Sequence, residues 1–404
     1  MDTEEEQPIE GLLARRALRL RENLGAGFAP PQGQVFRLSA GVPDPATFPL
    51  EELSKAFRAV LLQEGDQALQ YGGPYGYPGL RDILAKWISE REGLPLSAEN
   101  LMITNGSSQA LDSACFAFLN PDDLVIAENP TFPLSLRTVY AHDARVFGLS
   151  LDEDGPDVGK LDTVLKEAER EGERVKLLYF TPNFQNPTGI TFPLERRQAI
   201  LDLASRYGCI IVEDDAYGEL RYEAEAVPSF FSLAGGRGVI KLGTFSKTIG
   251  PGLRLGWVLA APKLIQAMAA LRTDMGTSPL LSHVVAAYMA DGHFQQHLKD
   301  NISFYRGKRD LFLSLLAEHF EGVANWRAPE GGFFVWLELP SEADELVAEE
   351  ALKEGVMVSP GFRFFSQDAK HIYLRLAFSF IHFDHMETAV ARLARVARKL
   401  LSAS

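Results

Sequence analysis

From about residue 95 to 260, short apolar runs alternate with stretches whose apolar positions recur at helical spacing. The runs Leu101–Thr104, Leu124–Ala127, Arg145–Leu149, Val175–Phe180, Cys209–Glu213, Val239–Leu242 and Leu255–Ala260 predict strands. Helical patterns at Gln109–Phe118, Lys160–Glu171 and Pro193–Tyr207 lie between several of them. Continuous apolar strands separated by helices predict a largely parallel α/β sheet covered on both faces. After about residue 262 the pattern changes. Long helical stretches run through Pro262–Thr273, Phe294–Phe320 and Asp384–Leu401, with isolated strands at Gly332–Leu339 and His371–Leu376 between the last two. That pattern predicts a smaller α+β domain. At the other end, an Arg-rich helical stretch, Leu12–Asn23, and a Gly/Pro-rich tail, Gly25–Gln34, form an arm.

A length of 404 residues suggests about two domains, and 46% apolar with 23% charged residues is ordinary for a globular protein. The net charge, 40 − 54 = −14, disfavours a nucleic-acid partner, because phosphate binding needs a basic face. Glu4, Glu5 and Glu6 form a solvated acidic tip. Cys115 and Cys209 sit in apolar surroundings with neither a disulfide framework nor metal-ligand spacing. No apolar run approaches a membrane span, and the N-terminus is acidic where a signal peptide is basic. A cytoplasmic protein is expected.

The candidate chemistry falls at strand ends, where open α/β sheets bind ligands. After Val239–Leu242 comes Gly243-Thr244-Phe245-Ser246-Lys247-Thr248-Ile249-Gly250-Pro251-Gly252-Leu253-Arg254. Its hydroxyls and guanidinium suit an anion, and Lys247 beside them suits Schiff-base chemistry once desolvated or set near another cation. After Leu101–Thr104, Ser107 and Ser108 open a helix, either as a plain cap or as an anion site. After Val175–Phe180, the Asn186-Pro187-Thr188-Gly189 turn places Asn186 at a strand end. After Cys209–Val212 come Glu213-Asp214-Asp215-Ala216-Tyr217. A carboxylate at the end of a buried strand needs a cation or a proton donor.

Together, and in this order, these words resemble the class I/II aminotransferases, fold type I of the enzymes that use pyridoxal 5′-phosphate (PLP). The resemblance runs from about Leu38 to the C-terminus and is greatest to the 2-aminoadipate and kynurenine aminotransferases. It also rests on Gln70-Tyr71 with Gly76-Tyr77, Gly106 to Asp112, Phe184 to Gly189, Pro329 to Trp336 and Leu374-Arg375-Leu376. The resemblance implies a mostly parallel seven-stranded sheet in a large PLP-binding domain, residues 50–275. Residues 1–49 then form the arm and the start of the small domain, and 276–404 an interdomain helix and the C-terminal small domain. It implies that Lys247 forms an aldimine with PLP and, once freed, moves the Cα proton. Asp214 is implied to bind the pyridine nitrogen, Asn186 and Tyr217 the phenolic oxygen, and Phe132 and Ala216 the two ring faces. Ser107, Ser108, Thr244, Ser246 and Arg254 are implied to hold the phosphate, with Tyr71 reaching across a homodimer. Arg375 is implied to clamp the substrate carboxylate, Gly41 to admit it, and Arg16 to meet an acidic side chain. The implied reaction moves the amino group of 2-aminoadipate, or of an aromatic or branched amino acid, to a 2-oxo acid such as 2-oxoglutarate, in ping-pong order.

Two positions depart from relatives: Phe132, commonly Tyr, and Ser108, often Gln. Other reactions on this fold, such as C–S lysis or decarboxylation, use the same Lys247, Asp214 and Arg375 and stay open. So does a non-catalytic PLP-sensing regulator, although about 35 residues before the shared region are too few for its DNA-binding domain. The run Gly72-Gly73-Pro74-Tyr75-Gly76-Tyr77-Pro78-Gly79 follows no strand and has no Lys-Ser/Thr after it, so it is no nucleotide loop. His382 and His385 lack the partners of a metal site. Arg15, Arg16, Arg19 and Arg21 can equally form a solvated helix face, and Arg363 carries the same ambiguity.

Overall fold

The computed structural model describes residues 9–22, 34–223 and 225–401. The acidic tip and almost all of the Gly/Pro-rich tail fall outside them. The main sheet contains β1 (Leu101–Thr104), β2 (Leu124–Asn129), β3 (Arg145–Asp152), β4 (Val175–Phe180), β5 (Ile210–Asp214), β6 (Val239–Thr244) and β7 (Gly256–Leu259). Its order is β1-β7-β6-β5-β4-β2-β3, and the two-residue strand Gly155–Pro156 makes it eight-stranded at the β3 edge. The pairs β2–β3, β2–β4, β4–β5 and β5–β6 are parallel; β7 runs antiparallel to both β1 and β6.

The strands carry apolar residues toward both sides because both faces are covered. Ile103, Ile126, Leu178, Ile211 and Leu259 point into one core, with the helices Pro78–Glu92, Val158–Arg170 and Leu194–Tyr207. Their chain neighbours Met102, Val125, Leu177, Val212 and Val258 point into the other, with Gly106–Phe118 and Pro262–Ala270. That is strand alternation with an apolar demand on each side. A glycine is required at 256, where a Cβ would stand 2.7 Å from backbone atoms of Gly106 and Gly243. The start of the Gly106–Phe118 helix therefore sits against β7.

A third core forms around a four-stranded antiparallel sheet that includes Phe334–Glu338 and Tyr373–Ala377. The helices His293–Phe320 and Phe383–Leu401 pack on each other beside it. Phe36 and Leu38 join this core, so the segment around them packs with the C-terminal part of the chain. Four further helices lie outside the helical patterns read from the sequence: Leu50–Gln63, Pro78–Glu92, Pro133–Ala141 and Pro279–Ala290. In the first, only Val60 is buried and leucines face outward; the last is buried on nearly every side. The last lacks the single apolar stripe that periodicity detects, whereas the first places Leu53, Ala56, Phe57 and Val60 on one packed face. Among the described residues, no helix is long and apolar enough to cross a membrane.

Charge is also buried. Glu213, Asp214 and Asp215 are consecutive, and alternation sends Glu213 and Asp215 to one face and Asp214 to the other. On the first face, Lys241 of β6 meets Glu92 at 2.6 Å and Asp215 at 2.9 Å. Asn183 donates to the other oxygen of Asp215 at 2.8 Å, while Glu213 accepts from the backbone of Phe230 and Phe231. Removing one partner of such a buried set leaves uncompensated charge. Lys241→Met should therefore cost about 3–5 kcal/mol of stability, read as a lowered denaturant midpoint. An unchanged midpoint would contradict this account of the end of β5.

Candidate active site

A cavity of about 420 Å³ opens at the carboxyl ends of the parallel strands. Ser107 and Ser108 reach it from the helix that follows β1, Asn186 from the turn after β4, and Asp214 from the end of β5. Ala216 and Tyr217 come next in the chain, and the segment between β6 and β7 adds Ser246, Lys247 and Arg254. Phe334 and Arg375 enter from the antiparallel sheet, and Gly41 from the N-terminal part of the described chain. The lining thus draws on both parts of the molecule.

Lys247 brings an amine into this cavity. Its Nζ donates to the carbonyl of Gly41 at 3.2 Å and lies 5.6 Å from the Tyr217 ring centroid. Burial brings its pKa down to about 8, the nearby Arg375 and Arg254 cations add to the fall, and Asp214 opposes it. Asp214 moves the other way. Burial pushes it up to about 6, while the hydrogen bond from Tyr179 and the charge of Lys247 pull it back. Its Oδ2 accepts from the Tyr179 hydroxyl at 2.7 Å, and its Oδ1 is buried without a partner.

Arg375 is held on several sides. It donates to Asn186 Oδ1 at 3.1 Å and to the Ser39 carbonyl at 2.7 Å, with the rings of Phe334 and Phe364 at 4.5 and 4.8 Å. Its Nε is buried and unpaired, and burial lowers its pKa to about 10, with Tyr217 opposing the fall. It is a preset guanidinium with donor capacity to spare, suited to a carboxylate. Gly41 must be glycine, because a Cβ there would stand 2.5 Å from the Phe334 ring.

At the opposite end, Thr244 Oγ1 bonds Ser246 Oγ at 2.9 Å and accepts from the Ser246 amide at 3.1 Å. Arg254 adopts a left-handed backbone at φ 50° and stays exposed, reaching the Asn105 carbonyl at 3.4 Å. Gly106 begins a 13-residue helix whose N-cap side chain makes no capping bond. These donors at a helix N-terminus suit a phosphate. Phe132 caps the helix Pro133–Ala141 and lines the cavity, as does Ala216.

Three sequence-selected residues lie elsewhere. Tyr71 is 78% exposed and does not line the cavity of its own chain. Arg16 is exposed on the helix Arg15–Glu22, which packs against Pro133–Ala141 beside the cavity without reaching its lining. Arg363 is exposed and faces the Phe362 ring. Conversely, the cavity includes Ser135 and Tyr179, which the sequence did not single out. The available signal was a phenol inside an apolar strand, whose hydroxyl needs a partner when buried. Among the described residues, no cluster of ligating side chains could hold a metal ion.

Residues 33–393 match the family described as Aminotransferase class I and II. The chain is 38% identical over 369 residues to aromatic-amino-acid aminotransferase 1 of Thermococcus litoralis, covering 90% of this chain and 88% of that relative. It is 34% identical over 400 residues to 2-aminoadipate transaminase of Thermus thermophilus, covering 98% and 96%. Kynurenine aminotransferase of Pyrococcus horikoshii, solved in complex with PMP, KYN and KYA, superposes with a TM-score of 0.90 at 36% identity over 98% of each chain.

The electrostatics of Lys247 are directly measurable. Acylation of its amine in ligand-free protein should titrate near pH 8. Arg375→Gln should move that midpoint upward, since the guanidinium disfavours the ammonium. A wild-type midpoint near the ~10.4 of a solvated lysine would contradict the account.

Proposed function

The chain belongs to the class I and II aminotransferases and is a PLP-dependent enzyme; from that premise we propose that it moves the amino group of an aromatic, branched or 2-aminoadipate-type amino acid to 2-oxoglutarate. The observation that carries the site assignment is the opposition of Lys247, depressed toward neutrality, and Asp214, whose free Oδ1 is buried. The donors present fit the cofactor: a lone carboxylate oxygen for a protonated pyridine nitrogen, and a hydroxyl-rich helix start with Arg254 for a phosphate. Ala216 and Phe132 offer two flat walls for its ring.

Bound PLP supplies an electron sink conjugated to the carbon that carries the substrate amine. This chain's residues do the rest. Asp214 Oδ1 holds the pyridine nitrogen and keeps its proton in place. Asn186 and Tyr217 hold the phenolic oxygen, while Ser107, Ser108, Thr244, Ser246 and Arg254 hold the phosphate. Lys247 Nζ, deprotonated above about pH 8, would take the proton from the substrate Cα and deliver it to the cofactor carbon on the other side of the amino nitrogen, C4′. Arg375 clamps the substrate carboxylate beside Asn186, and Gly41 leaves room for it. Arg16 meets an acidic side chain from the mouth.

The reading includes a homodimer that places Tyr71 against the phosphate site of a second copy. The 78% exposure of Tyr71, with Leu62 at 75% and Leu69 at 69% nearby in the chain, supports an apolar face awaiting cover. It also includes a cytoplasmic setting, supported by two buried, unbridged cysteines. Residues 50–275 act as the cofactor-holding part, and 276–404 with the chain before 50 as the part that brings Arg375 to it.

Adding an α-amino acid to the PLP-loaded protein should bleach its visible absorption band, and 2-oxoglutarate should restore it. A band that never bleaches would point to lysis, decarboxylation or sensing instead. Lys247→Ala should reduce turnover by roughly 10²–10⁴-fold or more with the fold retained. Arg375→Ala should raise KM for every donor, whereas Arg16→Ala should affect acidic donors alone; equal losses across donors would remove Arg16 from the reading. Equilibrium sedimentation should give a dimer, and a fully active monomer would exclude the shared site.

A further inference from the structure

The two oxygens of Asp214 have different fates. Oδ1 is buried without a partner, while Oδ2 lies 2.7 Å from the Tyr179 hydroxyl. That hydroxyl is also 2.8 Å from Ser135 Oγ. A phenol carries one proton, and a carboxylate is the stronger acceptor of the two. Tyr179 therefore donates to Asp214, and Ser135 donates to Tyr179. The chain Ser135 → Tyr179 → Asp214 runs one way, through the first turn of the helix Pro133–Ala141, then β4, then the end of β5. Tyr179 is 2% exposed and Ser135 6% exposed, and both line the cavity.

We infer that Tyr179 and Ser135 are positioning residues that fix Asp214 Oδ2, turn Oδ1 to the pyridine nitrogen and keep the carboxylate ionised for it. The inference rests on the PLP reading above. The groups facing Asp214 divide cleanly. Lys247, from the segment after β6, favours its ionised form, and Asp215, next in the chain, opposes it. Glu128 of β2 adds a like charge when ionised, although burial pushes it up to about 7. Burial holds Asp214 at about 6, and the Tyr179 bond is the largest influence lowering it from there. Without that bond the carboxyl titrates nearer neutrality, and a protonated carboxyl no longer attracts a protonated ring nitrogen.

Tyr179→Phe keeps the ring in the core and deletes the one donor. In the ligand-free full chain, the Asp214 carboxyl titration, followed by carbon NMR, should move up by about 1–2 pH units, as expected for loss of a hydrogen bond to charge. The PLP dissociation constant should rise roughly 10- to 100-fold. Ser135→Ala should move both in the same direction by less. Placed on Asp214→Asn, Tyr179→Phe should cause no further loss of PLP affinity. Unchanged titration and affinity in Tyr179→Phe would overturn the inference, as would an equal affinity loss on Asp214→Asn, which would mean packing alone. If Tyr179→Phe does not fold, Ser135→Ala decides by the same two readouts. A wild-type chain that binds no PLP overturns the cofactor reading, and the ligand-free titration still decides whether Tyr179 governs Asp214.

Discussion

Three consecutive carboxylates at the end of one buried strand are the constraint around which this molecule is arranged. Unrelieved, Glu213, Asp214 and Asp215 would repel one another in a medium that already disfavours charge. The pleat separates them first, sending the central one to the opposite face. Lys241, itself buried, then draws Asp215 and Glu92 together, and its position opposite Glu213 in the β5–β6 register puts positive charge beside that residue too. Burial and the opposite charge leave Glu213 at about 7, but Asp215 below an ordinary aspartate. With the outer two settled by the scaffold, Asp214 alone faces the cavity with an unpaired oxygen.

A second buried charge ties the cavity to the rest of the chain. Lys308, fully buried on the helix His293–Phe320, pairs with Asp44 at 2.5 Å and donates to the Ser379 carbonyl at 2.6 Å. Ser379 in turn donates to the Val42 carbonyl at 2.8 Å. The segment around Gly41, whose carbonyl receives Lys247, is thus anchored three residues away to the same C-terminal part that supplies Arg375. Position at the cavity mouth and integrity of the small core are parts of one network, so strain in either is felt in both.

The sheet was legible because its strands are apolar on both faces and bounded by polar words. β1 and β4 fall where the apolar runs end, and the others differ by one to three residues at an end. Ser107, Asn186, Asp214 and Lys247 stood out in polar words that follow apolar runs, each modest alone, and it was the resemblance that gave them roles; the structure lines one cavity with all four. Tyr179 did not stand out, since within its strand it obeys the core periodicity, and its partner Ser135 is 44 residues away on a helix that periodicity missed. Tyr71 stands apart in another way. The role proposed for it depends on a second copy of the chain, and no pattern within one chain specifies what lies across an interface.

The cavity's charges also bear on one another. Lys247 loses its proton readily because it is buried near the cations Arg375 and Arg254, and the same burial tends to protonate Asp214. Burial pushes both groups toward their neutral forms, which would leave the cavity an amine and an acid with little field between them. What separates their fates is hydrogen bonding. Asp214 has a buried phenol that favours its anion, whereas Lys247 has the Gly41 carbonyl at 3.2 Å and two repelling guanidinium groups set against the attraction of Asp214. Above about pH 8 the result is a neutral amine beside a carboxylate anion in one cavity, the pairing that the proposed proton transfer at a substrate carbon uses.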